Sequence, residues 1–192
     1  DIRTWQTEQI SKGYSDAYLD RIQNMMTTIM NYAVRYYNLP SNPCDKAGHM
    51  GKRTRSMQFW TLAEYNRFIA TITDITAKTA LNVLFYSGMR FGELLALNYG
   101  DIDFKAKTIT INKSLQYKAS NALITPPKTD NGYRTVTMPD AIMEELQIYT
   151  SKLYGIKPNE RIFTFTKSLI GGNMKRGLKQ ADVPLIRIHD LR

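Results

Sequence analysis

The sequence predicts a mainly α-helical protein with a small antiparallel β-sheet, an α+β fold class. Two observations lead to this prediction. Apolar residues recur at steps of three and four along several segments of the 192-residue chain, as on the buried face of a helix. Two short segments after residue 106 instead alternate apolar and polar residues, as half-buried strands do. The composition, with 43% hydrophobic and 22% charged residues, is that of an ordinary globular protein.

The N-terminal part of the chain is predicted to be helical as far as residue 40. Residues 1–10 have a helical pattern, and residues 14–37 form a longer helix with one apolar face, which requires a packing partner. The residues of that face are Tyr18, Ile22, Met25, Ile29, Ala33 and Tyr36.

Residues 38–56 interrupt this pattern with two prolines and two glycines, followed by the basic residues Lys52, Arg53 and Arg55. Such a segment predicts a domain boundary, and we assign residues 41–57 to a basic linker. The linker could lie along a phosphate backbone, although a solvated tether is the ordinary function of such a stretch.

The remaining residues, from 58 onward, are predicted to form a second domain that begins with helices. Thr61 and Glu64 have the spacing of a capping box, which predicts a helix from residue 62 to about residue 73. Residues 75–86 are apolar almost all round and indicate a helix buried in the core, which Gly88 ends.

A short helix at residues 91–97 leads to the predicted sheet, in which residues 107–112 and 134–138 pair as strands. The sequence DNG at residues 130–132 favours a tight turn between them, because Asn and Gly tolerate a positive φ. Two amphipathic helices follow, at residues 141–154 and 167–180. The second carries basic residues opposite its apolar face, namely Lys175, Arg176 and Lys179.

The charge balance points to a polyanionic partner. There are 26 basic and 17 acidic residues, a formal net charge of +9, which fits nucleic acid and fits a basic solvated surface equally well. The single cysteine, Cys44, excludes an intramolecular disulfide and cannot form a zinc site by itself. Because no apolar segment has the length of a membrane span and residues 1–30 lack a secretory pattern, we expect a cytoplasmic protein with no membrane association.

The sequence lacks the common nucleotide-binding and zinc-protease motifs, so we expect neither a cofactor nor a metal. The candidate functional residues are instead basic. Arg90 lies between two predicted helices, Lys128 lies at the tip of the predicted hairpin, and His189 and Arg192 have the spacing of one helical face. Taken singly, each has an ordinary structural explanation; Arg90, for example, can pair with Glu93 within one turn.

Together these residues resemble the catalytic domain of the tyrosine recombinase (phage integrase) family. The family is marked by an arginine in a Gly-x-Arg-x-x-Glu-Leu helix junction, a hairpin lysine and a His-x-Leu-Arg motif; GMRFGEL, Lys128 and HDLR occur here in that order. The resemblance covers residues 60–192, and the basic linker is similar to the family's hinge. It implies a catalytic domain at residues 58–192, and at residues 1–40 the C-terminal part of a helical core (arm) DNA-binding domain.

The resemblance also implies roles for individual residues. Arg90 and Arg192 would bind the non-bridging oxygens of the scissile phosphate, and Glu93 would hold Arg90 in place. Lys128 would act as general acid for the departing 5′ oxygen, and His189 would assist proton transfer or hydrogen bond to the phosphate. The residues expected to contact the DNA backbone are Lys52, Arg53, Arg55, Lys175, Arg176 and Lys179.

The implied function is site-specific recombination of double-stranded DNA at attachment-type sites, as part of a mobile genetic element. Several protomers on DNA would cut and rejoin strands through a 3′-phosphotyrosyl intermediate. In the family the attacking tyrosine follows the His-x-x-Arg motif, with which this sequence ends, so we expect a C-terminally truncated chain that binds DNA without cleaving it. Two alternatives remain open: a non-catalytic DNA-binding regulator, and an enzyme similar to type IB topoisomerases.

Overall fold

The protein is known from a computed structural model, which describes residues 1–51, 58–118, 121–127 and 132–191. The chain divides into two compact units, Asp1–Ser56 and Met57–Arg192. The described residues are mainly helical and contain two small antiparallel sheets, so the predicted fold class is confirmed. None of the helices in these ranges is both long enough and apolar enough to cross a membrane.

The first unit contains the helices α1 (Ile2–Ser11), α2 (Asp16–Tyr36) and α3 (Pro43–Ala47). The long helix is confirmed, but its predicted apolar face is not the one that packs. Four of the six residues of that face are exposed in this unit, namely Tyr18, Met25, Ile29 and Tyr36. The buried residues of α2 are Leu19 and Gln23, and Gln23 accepts a hydrogen bond from the Gln6 side chain of α1 at 2.9 Å.

The predicted linker at residues 41–57 is described as far as Gly51, and this part folds with the first unit. Asn42 caps α3 by accepting a hydrogen bond from the backbone N–H of Cys44 at 2.9 Å. Cys44 and Met50 are buried, so residues 41–51 are packed rather than a free tether. The two apolar anchors are isolated among Pro and Gly, which is why no periodicity marks them. Lys52, Arg53 and Arg55 lie outside the described residues.

The second unit is built around a buried helix. Its helices are α4 (Leu62–Ala70), α5 (Ile75–Ser87), α6 (Phe91–Ala96), α7 (Asp140–Ser151) and α8 (Lys167–Ala181). Most of α5 is buried, as its apolar composition predicts, and Gly88 ends it in the left-handed conformation. The predicted capping box is present at α4: the Thr61 backbone N–H donates to Glu64 Oε2 at 2.8 Å, and the Glu64 N–H donates to Thr61 Oγ1 at 3.3 Å.

The sheet region confirms one predicted pairing and adds a ribbon that was not predicted. The strands β1 (Ile102–Asp103), β2 (Thr108–Ile111) and β5 (Arg134–Thr137) form an antiparallel sheet in the order β1-β2-β5. Between β2 and β5, the strands β3 (Ser114–Lys118) and β4 (Asn121–Thr125) form a second, two-stranded sheet.

The connection from β2 to β5 therefore contains a two-stranded ribbon that the sequence analysis did not predict, besides the segment with the DNG signal. The intervening ribbon escaped prediction because Tyr117, Leu123 and Ile124 are about half exposed, so its strands have no clear buried face. Asp130 and Asn131 of the predicted DNG turn lie outside the described residues, so the turn itself stays a prediction. Lys128 falls between β4 and β5, and it lies outside the described residues.

Candidate active site

Arg90 occupies the corner between α5 and α6. Its backbone N–H donates to Glu93 Oε2 at 2.8 Å, and its Nη1 donates to Glu93 Oε1 at 3.0 Å. The Glu93 side chain is only 6% exposed, whereas the Arg90 side chain is 54% exposed. A buried carboxylate therefore holds the backbone and one guanidinium nitrogen of Arg90, while the side chain as a whole stays half exposed and available to an anionic ligand.

A second arginine, Arg134 at the start of β5, binds the same carboxylate. Its Nη2 donates to Glu93 Oε2 at 2.7 Å, and its Nη1 is 3.4 Å from Glu93 Oε1. The same Nη1 is also 3.4 Å from the backbone oxygen of Gly132. Glu93 thus joins α6 to β5 across 41 residues of sequence.

The environment of Glu93 keeps this carboxyl ionised. Burial by itself would raise the pKa of Glu93, but hydrogen bonds from the Arg134 guanidinium, from the Arg90 backbone and from the Arg90 side chain outweigh it. The pKa of Glu93 therefore lies below its ordinary value. One carboxylate lies between two guanidinium groups, so the cluster retains a net positive charge at neutral pH.

A cavity of about 460 Å³ opens beside this cluster. Its lining combines α6, the bases of β3 and β4, and the two ends of the segment that contains Lys128. The lining residues are Arg90, Glu93, Lys113, Ser114, Gln116, Thr125, Pro126, Pro127 and Gly132. Pro127, which precedes Lys128 in sequence, and Gly132, which follows the same segment, thus both line the cavity that Arg90 borders.

Two close contacts shape this cavity. A Cβ on Gly92 would lie 2.6 Å from Ser114 Oγ and 2.8 Å from the Leu115 backbone oxygen, so only glycine allows β3 to pack against the first turn of α6. Lys113 Nζ donates to both carboxylate oxygens of Asp101 and contributes a second cation to the lining. The cavity is therefore bordered by two cations, Arg90 and Lys113, and by the carboxylate of Glu93.

His189 lies in a 3₁₀ turn, Ile188–Leu191, that a carboxylate also holds. Asp190 accepts hydrogen bonds from the Arg187 backbone N–H at 3.0 Å and from Arg187 Nε and Nη2 at 2.8 Å each. Leu191 is buried and anchors the turn, whereas His189 is exposed. No hydrogen bond or ion pair among the described residues joins His189 to Arg90, and Arg192 lies outside them.

The basic face of α8 is as predicted. Lys175, Arg176 and Lys179 are exposed, while Ile170 and Met174 on the opposite side are buried. Arg176 Nη2 donates to the Asn173 side-chain oxygen at 3.0 Å. The helix therefore presents three cations to solvent on a face that packing does not use.

The structure adds two residues that sequence reasoning missed, Arg134 and Lys113. Arg134 lies on a half-buried strand, where a partly buried cation favours a hydrogen-bonding or anionic partner, but the sequence does not show which partner that is. No group of three or more His, Cys, Asp or Glu side chains with the spacing of a metal site occurs within residues 1–51, 58–118, 121–127 and 132–191.

Comparison with known proteins shows which family shares this sequence. Residues 58–192 match the family model described as the phage integrase family. The ICEBs1 integrase of Bacillus subtilis (strain 168) is 28% identical over 207 aligned residues, which cover the whole chain and 56% of that protein. A tyrosine recombinase XerC-like protein of Caldanaerobacter subterraneus subsp. tengcongensis is 25% identical and is covered to 57%. The chain thus spans a little over half the length of these relatives.

Solved structures share the fold. The Tn1549 transposon integrase in complex with a circular intermediate DNA superposes with a TM-score of 0.80 at 18% identity, covering 100% of this chain and 69% of that one. A lambda integrase dimer bound to a COC' core site gives a TM-score of 0.61 at 15% identity, covering 99% of this chain and 68% of that one. At these identities the likeness shows a common fold.

Proposed function

Because the chain belongs to the phage integrase family of tyrosine recombinases, we propose that it acts in site-specific recombination, cutting and rejoining DNA through a 3′-phosphotyrosyl intermediate. The observation that carries the proposal is the half-exposed Arg90 side chain, held by buried Glu93 at the edge of a cavity that Lys113 also borders. A rigid arginine in such a place stabilises the charge that builds on a phosphate during attack and departure.

The other site residues have roles that follow from the same proposal. Arg192 would bind the phosphate beside Arg90, and Lys128 would protonate the departing 5′ oxygen. His189 would donate a hydrogen bond to the phosphate or relay a proton. Two features support these roles: Pro127 and Gly132, on either side of the Lys128 segment, border the Arg90 cavity, and His189 lies on a rigid, carboxylate-capped turn.

Double-stranded DNA is the proposed partner, bound by several protomers at paired sites. The net charge of +9 and the exposed cations of α8 support it. The lambda integrase named above is a dimer on its core site, and the Tn1549 integrase binds a circular intermediate DNA. A cytoplasmic location is part of the same proposal, and Lys52, Arg53 and Arg55 are proposed as further backbone contacts.

The test is formation of a covalent adduct. The full-length protein is incubated with nicked duplexes carrying candidate sites, and a denaturation-resistant protein–DNA complex is sought. Arg90→Ala is expected to lower the rate of adduct formation by roughly 100- to 1000-fold, the loss typical for one donor to a transition-state oxyanion, while DNA affinity changes little. Affinity is measured in parallel by fluorescence anisotropy.

Three results would contradict the proposal or a part of it. Sequence-specific binding without an adduct at the bound site would favour the regulator. An adduct that forms equally fast with Arg90→Ala would remove the phosphate-binding role of Arg90. Relaxation of supercoiled DNA by monomers, without joining of two sites, would indicate the topoisomerase-like activity instead.

A further inference from the structure

The buried carboxylate of Glu93 serves two arginines unequally. Arg134 reaches both carboxylate oxygens, with Nη2 at 2.7 Å from Oε2 and Nη1 at 3.4 Å from Oε1. The Arg90 side chain reaches only one oxygen, with Nη1 at 3.0 Å from Oε1. The Arg134 side chain is 25% exposed, against 54% for Arg90. Arg134 is therefore the main counter-ion of Glu93.

This inequality decides where the surplus charge lies. One carboxylate neutralises one guanidinium. Because Arg134 contacts both oxygens of Glu93 and is less exposed than Arg90, we assign the charge of Glu93 to Arg134. Arg90 keeps a single side-chain hydrogen bond to Glu93, which orients its guanidinium without neutralising its charge. Were Arg134 absent, Glu93 would be left with Arg90 alone and would compete with any phosphate for it.

We propose that Arg134 is a positioning residue for phosphate chemistry: it neutralises Glu93, so that the Arg90 guanidinium stays extended into the cavity and available to the scissile phosphate. The role of the scissile phosphate in this inference rests on the proposed function, but the position of the Arg90 side chain can be tested without any reaction. Arg134 also fastens the start of β5 to α6, so the cation of Arg90 and the strand that follows the Lys128 segment are held by one carboxylate.

The first measurement concerns Arg90 itself. The 192-residue chain is treated with phenylglyoxal, which modifies exposed guanidinium groups, and the modification rate of Arg90 is followed by mass spectrometry of peptides. With Arg134→Ala, Arg90 is expected to react several-fold more slowly because Glu93 draws it inward. An unchanged or faster rate overturns the proposal whether or not the protein recombines DNA.

A matched control separates this effect from a loosened helix. Arg161 is another partly buried arginine that holds α6, since its Nη1 donates to the Leu95 backbone oxygen at 3.2 Å, but it does not touch Glu93. Arg161→Ala should leave the modification rate of Arg90 unchanged. Arg134→Lys keeps the charge but cannot form the two-point contact, so it should give an intermediate rate. Circular dichroism identifies any variant that has lost its fold.

The second measurement uses the charge of the phosphate. Adduct formation by the full-length protein is timed on nicked duplexes with either an ordinary scissile phosphate or an uncharged methylphosphonate. Arg134→Ala should slow the reaction at the phosphate by roughly 10- to 100-fold, as loss of a group that orients a catalytic ligand does, and should slow the methylphosphonate reaction much less.

The outcomes are distinguishable. A merely structural role for Arg134 would slow both substrates by the same factor and would overturn the inference while the proposed function stands. Absence of any adduct with the wild-type protein at a site that it binds specifically would count against the proposed function, and the modification rate of Arg90 would then decide the inference alone.

Discussion

Two arginines in the second unit are each held by a carboxylate three residues later. Glu93 accepts the backbone N–H and one side-chain nitrogen of Arg90, and Asp190 accepts the backbone N–H and two side-chain nitrogens of Arg187. In both cases the carboxylate caps a short helical turn and fixes the arginine that precedes the turn. The second turn carries His189, so the orientation of this exposed imidazole depends on Asp190.

Asp190 therefore makes a pH-dependent contribution to stability. The hydrogen bond from Arg187 lowers the pKa of Asp190 from 3.8 to about 2. Because the folded-state pKa is below the unfolded one, the contribution is complete above pH 3.8 and is lost as the pH falls through about 2. Asp190→Asn should make the protein less stable at pH 7 and should flatten the fall in unfolding free energy between about pH 4 and pH 2.

Tryptophan fluorescence can confine this measurement to the relevant unit. The two tryptophans are Trp5, in the first unit, and Trp60, whose indole N–H donates to the Pro184 backbone oxygen at 2.8 Å. In a Trp5→Phe background, urea unfolding followed through Trp60 reports the unit that contains Asp190. If the unfolding free energies of the wild-type protein and of Asp190→Asn changed in parallel across this pH range, the hydrogen bonds from Arg187 to Asp190 would contribute nothing to stability.

At the same scale, sequence reasoning reached Arg90 and Glu93 but not Arg134. The first two are three residues apart, and their contact follows from the geometry of one helical turn. Arg134 is 41 residues from Glu93, and their contact depends on how β5 packs beside α6. A pattern of spacing along the chain carries no information about such a pair.

At the scale of elements, the α-helices other than the short α3 could be predicted, and the connection between the strands could not. The helix α5 is apolar all round and Gly88 ends it, so pattern and structure agree. The β3–β4 ribbon has no such pattern, because its apolar side chains are half exposed. The predicted apolar face of α2 shows the converse, since periodicity marks a face without showing what covers it.

Pro127 and Gly132, which flank the Lys128 segment, lie close together. A Cβ on Gly132 would lie closer to the Pro127 Cβ than real Cβ atoms approach. Gly132→Ala must therefore push Pro127 away, at a cost of about 1 to 3 kcal/mol in unfolding free energy, as overpacking usually costs. We expect a lower rate of adduct formation with unchanged DNA affinity, since both residues border the Arg90 cavity.

Gly171→Ala is the matched control for this substitution. A Cβ at Gly171 in α8 would meet nothing within 4 Å, so alanine should raise the unfolding free energy by about 0.5 to 1 kcal/mol. Chemical denaturation gives both values. If Gly132→Ala proved as stable and as active as Gly171→Ala, the close contact with Pro127 would have no bearing on the site.

At the scale of the whole molecule, basic residues outnumber acidic ones in both compact units. Such a balance raises affinity for a polyanion without any specific contact, so the exposed cations of α8 need a test that separates contact from net charge. Salt dependence provides it, because each phosphate that a cation neutralises releases counterions and contributes about 0.9 to the slope of log affinity against log salt concentration.

Lys175→Gln with Lys179→Gln removes two charges from α8, for which the structure gives no ion pair among the described residues. Lys12→Gln with Lys107→Gln removes two charges that Glu8 and Asp140 already neutralise, each at 2.9 Å. We expect the α8 pair to lower the slope by about 2 and the control pair to leave it nearly unchanged, although both change the net charge equally.

Anisotropy titrations of a labelled duplex over a range of KCl concentrations measure both slopes. Equal slopes would mean that α8 only adds charge, and the backbone contacts would then have to lie elsewhere on the chain.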